Sequence, residues 1–318
     1  MRPRKALGQA LAAALLPLLA LTACGSASGT ASGTAAKAQP VAQGVDPNRD
    51  AVSQEQKVDA IAALLPADLR QGGTLKVGSS FGTPPSAYYP DPAAKKPAGL
   101  DVDFTDAVAK VLGLKVDRED AAFETILPAL GSGRYDVGTG NFGVTAARLK
   151  TIDFVTYIDD GQGFAVRKDN TTLTDVTQLT QLCGLTIGTG AGTTFETTLN
   201  AQKHLCTDAG KKPYTVQSFA ENGAILTSLQ QGRIDAVMST INGLRFQAAQ
   251  PAAGTRFVGE FHRLDVGFAF KKGSPLTPAF QAAVNQLLKD GTYQRILAKW
   301  GTEGSAITQS QISPPEHP

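Results

Sequence analysis

The sequence predicts an α/β protein of two similar lobes with mostly parallel sheets, and two observations predict it. From Thr74 onward, strand-like and helical patterns alternate, as helices crossing between parallel strands require. In addition, an eleven-residue unit recurs. Ile126-Leu127-Pro-Ala-Leu130-Gly-Ser-Gly133-Arg134-Tyr-Asp136 returns 99 residues later as Ile225-Leu226-Thr-Ser-Leu229-Gln-Gln-Gly232-Arg233-Ile-Asp235, with six of eleven positions identical. Each copy reads as helix, glycine C-cap and strand, the unit from which a parallel sheet grows.

Taken in order, Lys57 to Leu69 carries an amphipathic helical pattern that stops at Gly72-Gly73. Leu75-Lys-Val-Gly78 reads as a strand, Val102 to Leu112 as a helix closed by Gly113, and Leu114 to Arg118 as a strand. Phe123 to Leu130 is a second helix and Tyr135 to Gly138 a further strand. The opening Leu75-Lys-Val77-Gly78 has its counterpart in Leu185-Thr-Ile187-Gly188, so the two lobes lie in tandem. Beyond Gly301 the chain is polar and proline-bearing, and a loose tail is expected over 304–318.

The chain has 318 residues, 42% hydrophobic and 18% charged, enough for one large or two medium domains with real cores. Arg2, Arg4 and Lys5 precede an apolar run from Ala6 to Ala20, followed by Leu21-Thr22-Ala23-Cys24-Gly25. A positive start, a short apolar core and small residues at the cut describe a secretory leader over 1–23. The cut site resembles the bacterial lipobox, whose cysteine receives lipid, so Cys24 is the expected anchor. The apolar run is shorter than the roughly 20 residues a spanning helix needs. Without the leader, 27 basic side chains stand against 28 acidic ones, with no clustered basic footprint for nucleic acid. Residues 24–56 are expected to hold the lipidated cysteine and a tether; Gly25 to Gly44 is too poor in apolar side chains to offset its ordering entropy. In an oxidising compartment Cys183 and Cys206 are expected to pair, two free buried thiols being the alternative.

Six further segments carry a resemblance: Gly99-Leu-Asp-Val-Asp103-Phe, Phe123-Glu-Thr-Ile-Leu-Pro-Ala-Leu, Thr145-Ala-Ala-Arg148, Ile152-Asp-Phe154, Gly192-Thr-Thr-Phe-Glu196 and Asp290-Gly-Thr-Tyr-Gln-Arg-Ile-Leu-Ala-Lys-Trp300-Gly. In this order and spacing the chain, from about Leu64 to Gly301, closely resembles the polar-amino-acid solute-binding proteins of bacterial ABC importers (family 3, with the histidine- and glutamine-binding proteins). The resemblance implies the type II periplasmic-binding-protein fold, with two strands crossing between lobes near Gly161 to Phe164 and Val258 to Val266. Lobe 1 would comprise 57–163 plus 265–303 and lobe 2 164–264. Ligand would bind as the lobes close about this hinge.

The resemblance also assigns a site. Arg148 would hold the ligand carboxylate, a pairing its guanidinium fork suits, although a surface ion pair is the commoner fate of an arginine. The Gly143 amide would join it, and the Asn141 carbonyl would face the ligand unless Asn141 serves only as a turn residue. Gly138-Thr-Gly140-Asn-Phe-Gly143 matches G-x-G-x-x-G, but the strand-like run from Thr151 leaves no room for a crossover helix, so no dinucleotide site follows. Of Thr193 and Thr194, one would cap the next helix and the other touch the carboxylate. Phe123 is either core or stacked on ligand; Tyr88 and Phe81 are weaker candidates, and Trp300 reads as core.

Two positions depart from the family. Thr240 and Ser80 stand where carboxylates usually hold the α-ammonium, so a ligand with a substituted, quaternary or absent amine is expected. Asp159 and Asp160, near the crossing, are the candidate substitutes. The function expected is a binding subunit, monomeric, lipid-anchored outside the cell, handing a small carboxylate-bearing solute to ABC-importer permease subunits. A dehydratase-like exported enzyme is the alternative. His204, His262 and His317 have no metal-ligand spacing, no cofactor motif survives, and no Gly-x-Ser-x-Gly or Cys-His dyad appears. A receptor sensor module would need a transmembrane helix and an output domain.

Overall fold

The computed structural model describes residues 45–71 and 73–317; the leader, Cys24 and the tether to Gly44 lie outside the described residues. The elements run in chain order. Helix α1 (Asp59–Ala62) precedes β1 (Thr74–Ser79), α2 (Leu100–Leu112), β2 (Lys115–Asp120), α3 (Phe123–Ser132) and β3 (Val137–Thr139). The long strand β4 (Ile152–Arg167) leads into β5 (Thr186–Gly190), α4 (Thr194–Ala201), α5 (His204–Asp208) and β6 (Thr215–Phe219). Then come α6 (Asn222–Gln230), β7 (Ala236–Thr240), α7 (Ile241–Ala249), the long strand β8 (Thr255–Lys271), α8 (Thr277–Asp290) and α9 (Thr292–Trp300).

The eight strands form one sheet in the order β2-β1-β3-β8-β4-β7-β5-β6. The outer pairings β1–β2, β1–β3, β5–β6 and β5–β7 are parallel, each spanned by a crossover helix. The central pairings β3–β8, β4–β8 and β4–β7 are antiparallel. Strands β4 and β8, of 16 and 17 residues, pair along nearly their whole length and thread both halves, with Gly161 opposite Arg263 near the middle. Helices cover both faces of each half. In the first half, one buried cluster holds Phe104, Tyr157, Phe268, Phe280 and Trp300, and the other Ile126, Phe142 and Phe154. In the second half the clusters centre on Phe164, Leu182 and Tyr214, and on Ile225, Leu229 and Leu244. Each fully buried side chain of this size is worth about 1.5–3 kcal/mol.

The internal repeat does the same structural work twice. Gly133 and Gly232 end α3 and the α6 turn at φ 76° and 69°, a conformation that costs glycine nothing. Arg134 N–H then reaches Ala129 O and Arg233 N–H reaches Ser228 O. The repeated aspartates anchor the first strand of each half: Asp136 Oδ2 accepts from Lys76 N at 2.8 Å, and Asp235 Oδ2 from Thr186 N at 2.7 Å.

Three expectations are corrected. The helix expected over Lys57 to Leu69 shortens to Asp59–Ala62, because Pro66 cannot donate a helical hydrogen bond and biases its predecessor away from helix. Residues 45–56, expected to belong to the flexible tether, lie against the first half: Ala51 and Val52 are buried in its core, and Glu55 pairs with Arg295. The tail is not loose. Ile312 bridges Val155, Thr156 N–H donates to Gln311 O and Ser310 Oγ–H to Thr156 O, covering the edge of β4 that no other strand protects here. At its end Glu316 accepts from Ala146 N, and His317 Nε2 lies 3.0 Å from Asp265 Oδ2.

Candidate functional site

The carboxyl ends of β1, β3, β5 and β7 point into the space between the two halves, the usual place for ligands in open α/β sheets. A cavity of about 470 Å³ occupies it. Ser80 follows β1, Gly140 and Asn141 follow β3, Thr193 and Thr194 follow β5, and Thr240 ends β7. With Phe123 and Arg148, seven of the eight ligand-binding positions expected from sequence line this one cavity.

Arg148 sits on a 3-10 turn behind Thr145 and is half-buried. Its Nη1 donates to Gly143 O at 3.0 Å, and its guanidinium lies 5.9 Å from the Phe123 ring centre and 5.6 Å from that of Phe142. Among the described residues no carboxylate forms a salt bridge with it. Burial lowers its pKa to about 10, so the group stays charged at neutral pH with its cation unspent. Gly143 is the position that stands apart. It bridges Val266 of β8 and gives its carbonyl to Arg148, but it is not on the cavity wall.

Phe123 opens α3, stacks on Phe142 at 4.7 Å between centroids, and keeps its other side on the cavity. Core packing and cavity lining are therefore both true of it. Thr193 is the capping residue of its pair: its Oγ1 accepts from Glu196 N at 3.2 Å. Thr194, first residue of α4, has its hydroxyl available on the wall. Thr240 caps α7 by accepting from Gly243 N at 3.0 Å. Asn141 stands at φ 55°, its N–H on Asp101 Oδ2 and its side-chain amide on Asp160 Oδ2, both at 3.0 Å.

Three carboxylates lining the same cavity escaped the sequence reading: Asp120 and Glu124 from the first half and Glu221 from the second, all exposed. Arg148 is the one basic side chain among the residues lining this wall. The repeat carried the missing signal. At its constant offset Asn222 is the mate of Phe123, each opening its helix, so the residues flanking both belong to facing rims. Asn222 Nδ2 donates to Thr83 Oγ1, joining the two halves across the opening. Phe81 also lines the cavity, whereas Tyr88 packs edge-on against Trp300 outside it.

Cys183 and Cys206 form a disulfide with Cα atoms 5.6 Å apart, joining the loop before β5 to α5. Among the described residues no histidine, cysteine or carboxylate cluster could hold a metal ion, and no helix is long and apolar enough to cross a membrane.

Comparisons with known proteins agree with this architecture. The Arginine-binding protein ArgT of Corynebacterium glutamicum is 30% identical over 258 residues, covering 80% of this chain and 83% of that protein. A solved ancestral arginine-binding protein bound to arginine is 34% identical with TM-score 0.64, covering 72% of this chain and 98% of that one. The ancestral amino acid-binding protein AncCDT-1, a precursor of cyclohexadienyl dehydratase, is 28% identical with TM-score 0.63, covering 73% and 97%. The family model of bacterial extracellular solute-binding proteins, family 3, matches residues 75–303, and the chain belongs to that family.

Proposed function

We propose that this protein is the binding subunit of an ABC importer, and that its cleft takes an amino acid with a cationic side chain. The observation that carries the reading is the charge pattern of one cavity: one guanidinium without a salt bridge, Arg148, shares its lining with three carboxylates, Asp120, Glu124 and Glu221. A ligand carboxylate pairs with Arg148, and the rim acids, two from one lobe and one from the other, attract the distal cation and draw the lobes together. The arginine-binding relatives support the same choice. Ser80 and Thr240 bring hydroxyls to this cavity, with Thr240 Oγ1 accepting from Gly243 N, so its negative charge comes from the rim acids. The lobes that move are 57–163 plus 265–303 and 164–264, and the chain is held outside the cell as a monomer by lipid on Cys24.

The test is a thermal-shift series with L-arginine, L-lysine, L-glutamine and L-cystine. A ligand that binds only the folded state at about 100 times its Kd adds about 2.7 kcal/mol of stability. L-arginine or L-lysine should raise the midpoint most, and Glu124→Gln with Glu221→Gln should shrink that gain while leaving any response to L-glutamine. A neutral amino acid giving the largest shift, unaffected by both changes, would contradict the cationic ligand.

A further inference from the structure

Residues 304–317 lie beyond the stretch 75–303 that the family model matches, and their path is specific. Ser310 is fully buried, its Oγ–H donating to Thr156 O at 2.6 Å. Gln311 N–H donates to Thr156 Oγ1 at 2.8 Å and Ser313 N–H to Phe154 O at 2.9 Å, so residues 310–313 run along β4. Covering an open sheet edge needs no more than this. The chain nevertheless goes on. Ser313 turns through the left-handed region at φ 47°, an unfavourable conformation for a residue with a side chain. Pro314, which is buried, and Pro315 then stiffen the approach to Glu316, because their rings fix φ. The hydrogen bonds of Glu316 and His317 both fall on the segment that presents Arg148. Glu316 Oε2 accepts from Ala146 N at 2.8 Å. His317 Nε2 lies 3.0 Å from Asp265 Oδ2, and Asp265 O accepts from Val144 N at 2.8 Å.

That segment has a local need for a partner. Arg148 opens a single 3-10 turn, and Ala147 before it gives no side-chain cap. Thr145 satisfies part of the turn, its Oγ1 accepting from Arg148 N at 3.3 Å and its carbonyl from Leu149 N at 2.9 Å. The Ala146 N–H is held instead by Glu316, 170 residues away in sequence. A hydrogen bond to an ionised acceptor is among the stronger ones. The Arg148 guanidinium rests beside two rings and on Gly143 O, so its position follows that of the turn. Glu316 does not compete for the guanidinium: among the described residues it forms no salt bridge with Arg148, and its Oε2 is taken by Ala146. The two side chains share the lining of a second cavity of about 500 Å³, which Thr197 and His262 of the second half also line.

We propose that residues 310–317 are a strap that presets the Arg148 turn, with Glu316 as a positioning residue acting through the Ala146 N–H. The inference rests on the proposed function, in which Arg148 takes the ligand carboxylate, and adds the device that holds it ready. A turn fixed before the ligand arrives leaves less ordering to be offset on binding, which raises affinity. One segment then has two separable roles. Residues 310–313 cover the sheet edge and contribute stability, whereas Glu316 contributes affinity.

The experiment compares wild type, Glu316→Ala and Glu316→Gln as the whole chain. Hydrogen exchange of the ligand-free proteins follows the Ala146 amide, calorimetry follows L-arginine, and denaturant midpoints follow stability. Glu316→Ala should speed exchange at Ala146 and weaken L-arginine about tenfold, with the midpoint little changed because Glu316 is exposed. Glu316→Gln keeps an oxygen acceptor for that amide and should recover most of both losses. Unchanged affinity in Glu316→Ala overturns the inference. Equal losses in the two variants also overturn it, since they assign the effect to charge, as does a loss matched by a lower midpoint, the mark of a merely structural contact. Should wild type bind no L-arginine, the cationic-ligand reading fails and exchange at Ala146 decides the strap by itself: equal protection in wild type and Glu316→Ala overturns it.

Discussion

Arg148 keeps its charge in a recess built from two phenyl rings and one carbonyl, which lets a planar carboxylate approach its free edge. The buried acids below it have the opposite character, since their charge is tolerated rather than offered to solvent. Desolvation, the largest cause, raises both Asp101 and Asp160 to about 6 from an ordinary 3.8. The folded state therefore binds protons more tightly than the unfolded chain, and the native carboxyls remain protonated after the unfolded ones have ionised. Stability of the ligand-free protein should fall as pH rises from about 4 to about 6, by on the order of 2 kcal/mol from each carboxyl. Chemical denaturation across that range measures it. Asp160→Asn should flatten the fall, and a rise in stability over the same window that Asp160→Asn leaves unchanged would contradict the assignment.

At the scale of elements, the sequence was most legible where one local signal decided the outcome. The glycine caps at Gly133 and Gly232, the helices behind them and the strands after them follow from the repeat, because a left-handed cap leaves few other continuations. It was least legible where distant segments decide. Nothing local in residues 310–317 announces that they will cover the edge of β4, since those hydrogen bonds depend on a strand more than a hundred residues earlier. The rim acids were missed for a related reason: an exposed Glu124 or Glu221 looks like any solvated charge until the opposite lobe faces it. Seven site positions were placed on one wall by motif, and Gly143 was not, because its backbone is drawn into register with β8. The disulfide yields a prediction at this scale. Its cysteines are 23 residues apart in sequence, and replacing both with serine should cost about 3 kcal/mol, read from denaturant midpoints. Full labelling of both thiols in native exported protein would show that the bond is not formed.

For the whole molecule, the decisive feature is that one sheet is threaded by two long strands while the cores lie in separate halves. Gly161 and Arg263 lie opposite each other where β4 and β8 pass between those halves, the place proposed for the hinge. A cation-rich rim ligand would span that opening, and the Thr83–Asn222 contact already joins it. Everything functional in this account depends on the cleft receiving a carboxylate at Arg148. The most direct measurement is calorimetric titration of L-arginine into wild type and Arg148→Ala, with thermal unfolding run alongside. Wild type should bind at micromolar concentration or tighter, and the variant should fold normally while losing about 2–5 kcal/mol of binding free energy. Equal affinity in the two proteins would contradict the account.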